Sequence, residues 1–194
     1  MPRLTLIALV GIAAALGCGS DVLREREVKA LYSAAVRISV DLLGDPGTLV
    51  IQGNAPSEND PFWFTASSES DVQDDQGEFS RYLQSRMPDL TRSAWLRFYE
   101  KNRSPQIVPD SLNLPRPYVY WYPDRTWPAI VEEIGQPYVL LMLSQPGYDP
   151  KSRVALVHVS VASSRPGRAG GWYLLFRKTE NVWAAVDTAA SWIQ

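Results

Sequence analysis

The sequence predicts an α+β fold, in which an N-terminal amphipathic helix and short helices pack on a C-terminal antiparallel β-meander. Apolar residues recur at helical spacing from residue 28, and four β-branched or aromatic runs alternate with turn-forming segments in the last third of the chain. With 194 residues, of which 45% are hydrophobic and 21% charged, the chain has the size and composition of one globular domain.

The N-terminal helix is predicted from an apolar pattern that runs from residue 28 to residue 43. Its apolar stripe repeats at steps of three and four residues, as the buried face of an amphipathic helix requires. The stripe consists of Val28, Leu31, Ala35, Ile38 and Leu42. Ser20 or Asp21 is the expected N-cap, and the segment Gly44-Asp-Pro-Gly47 ends the helix because proline and glycine interrupt the pattern.

The middle of the chain is predicted to hold one strand and two helices. Residues 48 to 52 form the strand, residues 53 to 61 a loop that leads to the aromatic run 62 to 64, and residues 65 to 77 an exposed loop. The helices are expected over residues 90 to 102 and 126 to 134. Four prolines lie between them, at positions 105, 109, 115 and 117, and predict an irregular connection.

The meander is predicted from four strands, over residues 138 to 144, 153 to 160, 172 to 178 and 182 to 187. The last two are joined by a turn at residues 179 to 181, where Asn181 tolerates the left-handed conformation that such loops need. Helices are expected to cover one face of this curved sheet.

The meander contains the runs Leu141-Met-Leu-Ser-Gln-Pro-Gly-Tyr148, Ala155-Leu-Val-His-Val-Ser160, Gly170-Gly-Trp-Tyr-Leu-Leu-Phe-Arg-Lys178 and Val182-Trp-Ala-Ala-Val186. This order of motifs resembles the carboxyl end of a group of uncharacterised bacterial secreted proteins and lipoproteins. The chain departs from the group's pattern at Gln145-Pro146 and at His158, and it lacks the Cys pair that some members carry in the loop at residues 163 to 171. The resemblance implies the meander, but it does not imply any particular activity.

The amino terminus is typical of an export signal. Arg3 is followed by fourteen uncharged residues, too few to span a bilayer but suitable for a signal segment over residues 1 to 17. Ala15-Leu16-Gly17-Cys18 resembles the lipobox of bacterial lipoproteins, which implies lipid attachment at Cys18 and one anchored domain over residues 18 to 194. Ordinary secretory cleavage before Cys18 stays open as an alternative, because Ala15 and Gly17 also fit the small-x-small rule.

The location implied for the anchored domain is the cell envelope. Resemblance to Gram-negative lipoproteins implies the outer membrane, because Gly19 stands where Asp would retain the protein at the inner membrane. In a Gram-positive cell the same signal implies the outer face of the plasma membrane. The mature part keeps 18 of the 19 basic and all 21 acidic side chains, a formal charge of −3, which argues against binding to nucleic acid.

No catalytic, metal or cofactor site is predicted. His158 is the only histidine and lies in a predicted strand, so we interpret it as a half-buried packing residue rather than a general base. Nucleophile motifs and phosphate-binding glycine loops are absent from the sequence. The acidic segment at residues 71 to 77 lacks the ligand spacing of an EF-hand and is interpreted as a solvated loop.

An aromatic cluster is the remaining candidate site. Its rings are those of Tyr118, Tyr120, Trp121, Tyr122 and Trp127. An exposed cluster would offer flat surfaces to a glycan, a peptide or a partner protein, whereas packing of alternate rings on the sheet edge is the favoured interpretation.

Three functions are compatible with these observations. The first is a non-enzymatic, membrane-anchored envelope protein that binds a partner or has a structural role. The second is an anchored or soluble secreted binder of a glycan or small molecule, which uses the aromatic segment 118 to 127. The third is a carboxylate-based envelope hydrolase using Glu132 or Glu133, for which the sequence offers only an acidic pair.

Overall fold

The computed structural model describes residues 23–44, 47–55, 78–103, 106–122, 124–180 and 182–193. The fold is α+β, as predicted. The described helices are α1 (Glu25–Leu43), α2 (Glu78–Arg86), α3 (Arg92–Lys101) and α4 (Trp127–Ile134). The described strands are β1 (Thr48–Gln52), β2 (Asn54–Ala55), β3 (Gln106–Ile107), β4 (Tyr118–Trp121), β5 (Tyr138–Leu143), β6 (Gly147–Asp149), β7 (Val154–Ser163), β8 (Ala169–Thr179) and β9 (Val182–Ile193).

Seven of these strands form one mixed sheet in the order β4-β1-β5-β7-β8-β9, with β6 paired to β7. Strands β5, β7, β8 and β9 are antiparallel and form the predicted meander, and β7 to β9 extend beyond their predicted bounds. Strand β1 lies parallel to both β4 and β5, so the sheet continues past the meander. Strands β2 and β3 form a separate antiparallel ribbon.

Helix α1 begins at Glu25, with Arg24 as its N-cap, so the predicted cap at Ser20 or Asp21 is wrong. The Glu27 carboxylate accepts the Arg24 backbone N–H at 2.9 Å and satisfies a donor that the helix leaves free at its start. The helix ends where predicted, at Gly44, whose φ of 63° suits a residue without a Cβ.

Helices cover both faces of the sheet, so the expectation of one covered face is wrong. On one face, α1 packs on β1, β5, β7 and β8 in a cluster that includes Tyr32, Leu141 and Phe176. On the other face, α2 and α3 pack on β7, β8 and β9 through residues such as Trp95 and Tyr173. The physical reason lies in β7, whose residues 154 to 161 are all buried, as a central strand with helices on both sides requires.

The middle of the chain is more regular than predicted. Tyr118–Trp121 is an edge strand although the proline-rich connection was expected to be irregular, because Pro117 precedes the strand and leaves its hydrogen bonds to β1 intact. Asn54–Ala55 forms a strand within a predicted loop. Helix α2 was not predicted. The aromatic run 62 to 64 and the acidic segment 71 to 77 lie outside the described residues.

Candidate functional site

The aromatic segment divides between the two faces of the sheet, because side chains alternate along β4. Tyr118 and Tyr120 pack on the α1 side, where their hydroxyls donate to the carbonyls of Leu112 and Pro109 at 2.9 and 2.6 Å. Burial raises the pKa of Tyr120 above its ordinary value. These two rings therefore pack against the sheet edge rather than offering a binding surface.

Tyr122 also packs. Its ring stacks on Tyr120 with centroids 6.0 Å apart. It also lies so close to Gly53 that a Cβ there would stand 2.2 Å from a Tyr122 ring carbon. Any larger residue at position 53 would therefore displace the ring.

Trp121 and Trp127 lie together next to the start of α4. Trp127 is the first residue of that helix, and Pro128 follows at a position where its missing N–H costs no helical hydrogen bond. The Trp121 Nε1–H donates to the Arg125 carbonyl at 2.8 Å, which fixes that ring. The two indole centroids are 5.1 Å apart with planes tilted by 60°, and Tyr138 meets Trp127 edge-on at 5.2 Å.

These three rings form one wall of an open cavity of about 360 Å³. It is built from residues of β1, β4, α4, β5 and β7. The lining residues are Gln52, Trp121, Trp127, Tyr138, Leu140, Met142, Ala162 and Ser163. No charged side chain is among them, and the polar groups besides the indole N–H are an amide and two hydroxyls.

The shape of the cavity limits what it can hold. Because the rings stand tilted or edge-on to one another, they do not form the parallel platform on which successive flat groups could stack. The floor is apolar and is formed by Leu140 and Met142 of β5 with Ala162 of β7. An apolar floor with aromatic walls and few polar groups suits a compact, neutral and mainly apolar group.

His158 is fully buried, rather than half-buried as predicted, and lies on the face covered by α2 and α3. Its Nε2 is 2.8 Å from the Ser191 hydroxyl, which stands at a register shift between β8 and β9. Burial lowers the pKa of His158 to about 3. His158 packs against Tyr173 in the interior and does not line the cavity, which supports its interpretation as a packing residue.

The acidic pair considered for hydrolysis lies at the surface. Glu132 and Glu133 are both exposed, and neither lines the cavity. Glu133 forms an ion pair with Arg125. Within the described ranges, no three His, Cys, Asp or Glu side chains are placed to hold a metal ion, and no helix is long and apolar enough to cross a membrane. Cys18 and the signal segment lie outside those ranges.

Sequence reasoning found two of the cavity's residues, Trp121 and Trp127, and missed the other six. A signal for three of them existed, because positions 138, 140 and 142 alternate along a predicted strand and therefore share one face. No protein-family model, curated protein or solved structure matches this chain. Its function therefore has to be inferred from the cavity and from the sequence.

Proposed function

We propose that residues 18 to 194 form an exported, lipid-anchored, non-enzymatic binding domain of the cell envelope, whose cavity beside Trp121 and Trp127 binds a neutral, mainly apolar small ligand. The observation that supports ligand binding is the cavity, with its three aromatic rings and its aliphatic floor. Its volume of about 360 Å³ falls in the range of small-molecule pockets, roughly 300 to 1,000 Å³. The cavity favours the small-molecule function over a purely structural or partner-binding one.

The lining also favours an apolar ligand over a glycan. A sugar carries several hydroxyl groups that lose their water on binding, and each needs a protein partner. Gln52, Tyr138 and Ser163 offer few such groups, and the Ser163 hydroxyl already accepts the Arg165 N–H at 3.0 Å. Burial of apolar ligand surface against the indoles and Met142 would supply the main driving force.

A titration with a neutral apolar fluorophore, N-phenyl-1-naphthylamine, tests the cavity. We expect saturable 1:1 binding with enhanced dye fluorescence in the wild type, and weakened binding in Ala162→Phe, whose ring would take up part of the cavity. Ala184→Phe, at an exposed position of β9, is the matched control and should bind as the wild type does. Equal binding by Ala162→Phe and the wild type, or absence of binding by both, would contradict the proposal.

The anchor rests on Cys18. A single cysteine has no partner in the chain for a disulfide in an oxidising compartment, and lipid attachment would consume its thiol. Growth with a fatty-acid probe should label the wild type and leave Cys18→Ala unlabelled. Label that survives the substitution would contradict the anchor, and a wild type that never takes up label would favour simple secretion.

A further inference from the structure

Three segments meet at one end of the sheet: the first turn of α1, the β6–β7 turn and the β8–β9 turn. The Lys178 ammonium pairs with the Glu27 carboxylate of α1. The Lys178 backbone N–H donates to the Arg153 carbonyl at 2.8 Å, and the Arg153 guanidinium donates to the Glu180 carbonyl at 2.5 Å. These contacts join the start of α1 to both turns, and we call this surface the basal end.

The basal end carries exposed cations and an exposed apolar side chain. Arg24, Arg26, Lys151 and Arg153 are all exposed there. Val182, which opens β9 just after the β8–β9 turn, is 68% exposed. Among the residues that the structure describes there, the exposed acids are Glu25, which is paired with Lys29 at 2.8 Å, Asp89, which is paired with Arg177 at 2.9 Å, and Glu180. The charge that is not paired at the basal end is therefore mainly cationic, and the exposed Val182 lies at the same end.

The proposed anchor lies close to the basal end. Leu23, just before α1, is only 7% exposed and belongs to the core, so the chain is fixed to the domain from that residue. Four residues separate Leu23 from Cys18, which limits the span between them to about 18 Å. The opposite end of the domain lies farther away, because the eleven residues of β8 extend about 35 Å.

We propose that the basal end is the surface that contacts the membrane, with its cations on anionic lipid headgroups and Val182 at the interface. This inference rests on the proposed anchor at Cys18. A basic patch beside a lipid anchor is a common second membrane contact, because anionic headgroups attract clustered Lys and Arg side chains. The lipid headgroups carry the charge that complements Arg26 and Lys151.

The orientation places the ligand cavity away from the bilayer. Ser163 ends β7 beside the cavity, whereas Val154 begins that strand at the basal end, about 30 Å away. The ligand would then enter from the aqueous compartment or from a partner rather than from the supporting leaflet.

Hydrogen exchange of the mature chain, coupled at Cys18 to a maleimide lipid, tests the orientation independently of acylation in the cell. On vesicles containing phosphatidylglycerol, compared with phosphatidylcholine alone, we expect at least threefold slower exchange of the backbone amides of residues 151–153 and 179–180. Residues 164–168, in the β7–β8 turn at the opposite end, should be unchanged. Unchanged exchange in the basal turns, or slowing in the β7–β8 turn instead, would overturn the inference.

Charge reversal provides the matched comparison. Arg26→Glu with Lys151→Glu should abolish the slowing, whereas Arg165→Glu with Arg168→Glu, the same charge change in the β7–β8 turn, should leave it intact. Equal effects of the two pairs would contradict headgroup contact at the basal end. A failure of fatty-acid labelling at Cys18 would overturn the anchor alone, since the coupled chain does not depend on it.

Discussion

His158 is expected to make the protein sensitive to mild acid. Burial lowers its pKa from the ordinary 6.5 to about 3, so the folded protein keeps this side chain neutral while the unfolded chain binds a proton below pH 6.5. The contribution of the neutral His158 ring to the free energy of unfolding is fully present above pH 6.5 and is lost as the pH falls towards 3. The loss approaches 1.4 kcal/mol per pH unit in that window, which gives about 2 kcal/mol between pH 7 and pH 5.

Urea unfolding at pH 7, 6 and 5, followed by circular dichroism, measures this loss in the wild type and in His158→Phe. The variant should lose about 2 kcal/mol less than the wild type over this range, because phenylalanine does not titrate. If the phenylalanine variant does not fold, His158→Gln, which can still hydrogen-bond to Ser191 and does not titrate, replaces it in the same measurement. Glu27 and Asp149, whose pKa values are lowered, lose their contribution at more acidic pH and do so in every variant. Parallel pH profiles for wild type and variants would refute the reasoning.

Two further substitutions test the packing of α3. Gly147→Ala should lower the free energy of unfolding by about 3 kcal/mol in urea titration, because the new Cβ would stand 2.3 Å from the Ala94 carbonyl and 2.4 Å from the Phe98 Cβ. A loss below 1 kcal/mol would mean that α3 moves easily. Asn102→Ala should cost roughly 2 to 4 kcal/mol, because its buried amide bonds both the N–H and the carbonyl of Gln145; an unchanged midpoint would contradict this.

The meander and α1 could be predicted because both have local patterns. The apolar repeat from Val28 to Leu42 specifies a helix whatever lies around it, and the alternating strands need only their neighbours in sequence. Helix α2 was missed although Phe79, Leu83 and Met87 recur at steps of four residues, because the polar stretch at residues 65 to 77 before it is typical of a loop. The second helical layer was missed with it.

The parallel part of the sheet could not be predicted. Thr48–Gln52 pairs with Tyr118–Trp121 and with Tyr138–Leu143, which lie about 70 and 90 residues later, and no local pattern specifies such partners. The cavity could not be predicted for the same reason, because it forms only when Trp121, Met142 and Ala162 are brought together from three strands. The sequence therefore identified the aromatic residues but could not tell which of them pack and which line a cavity.

Native mass spectrometry of the protein purified from membranes tests the cavity as a ligand site most directly. The account predicts a neutral small-molecule adduct on the wild type and on Ala184→Phe, and its reduction or absence in Ala162→Phe, whose side chain would take up part of the cavity. Identical spectra for the wild type and Ala162→Phe, with or without an adduct, would contradict the account.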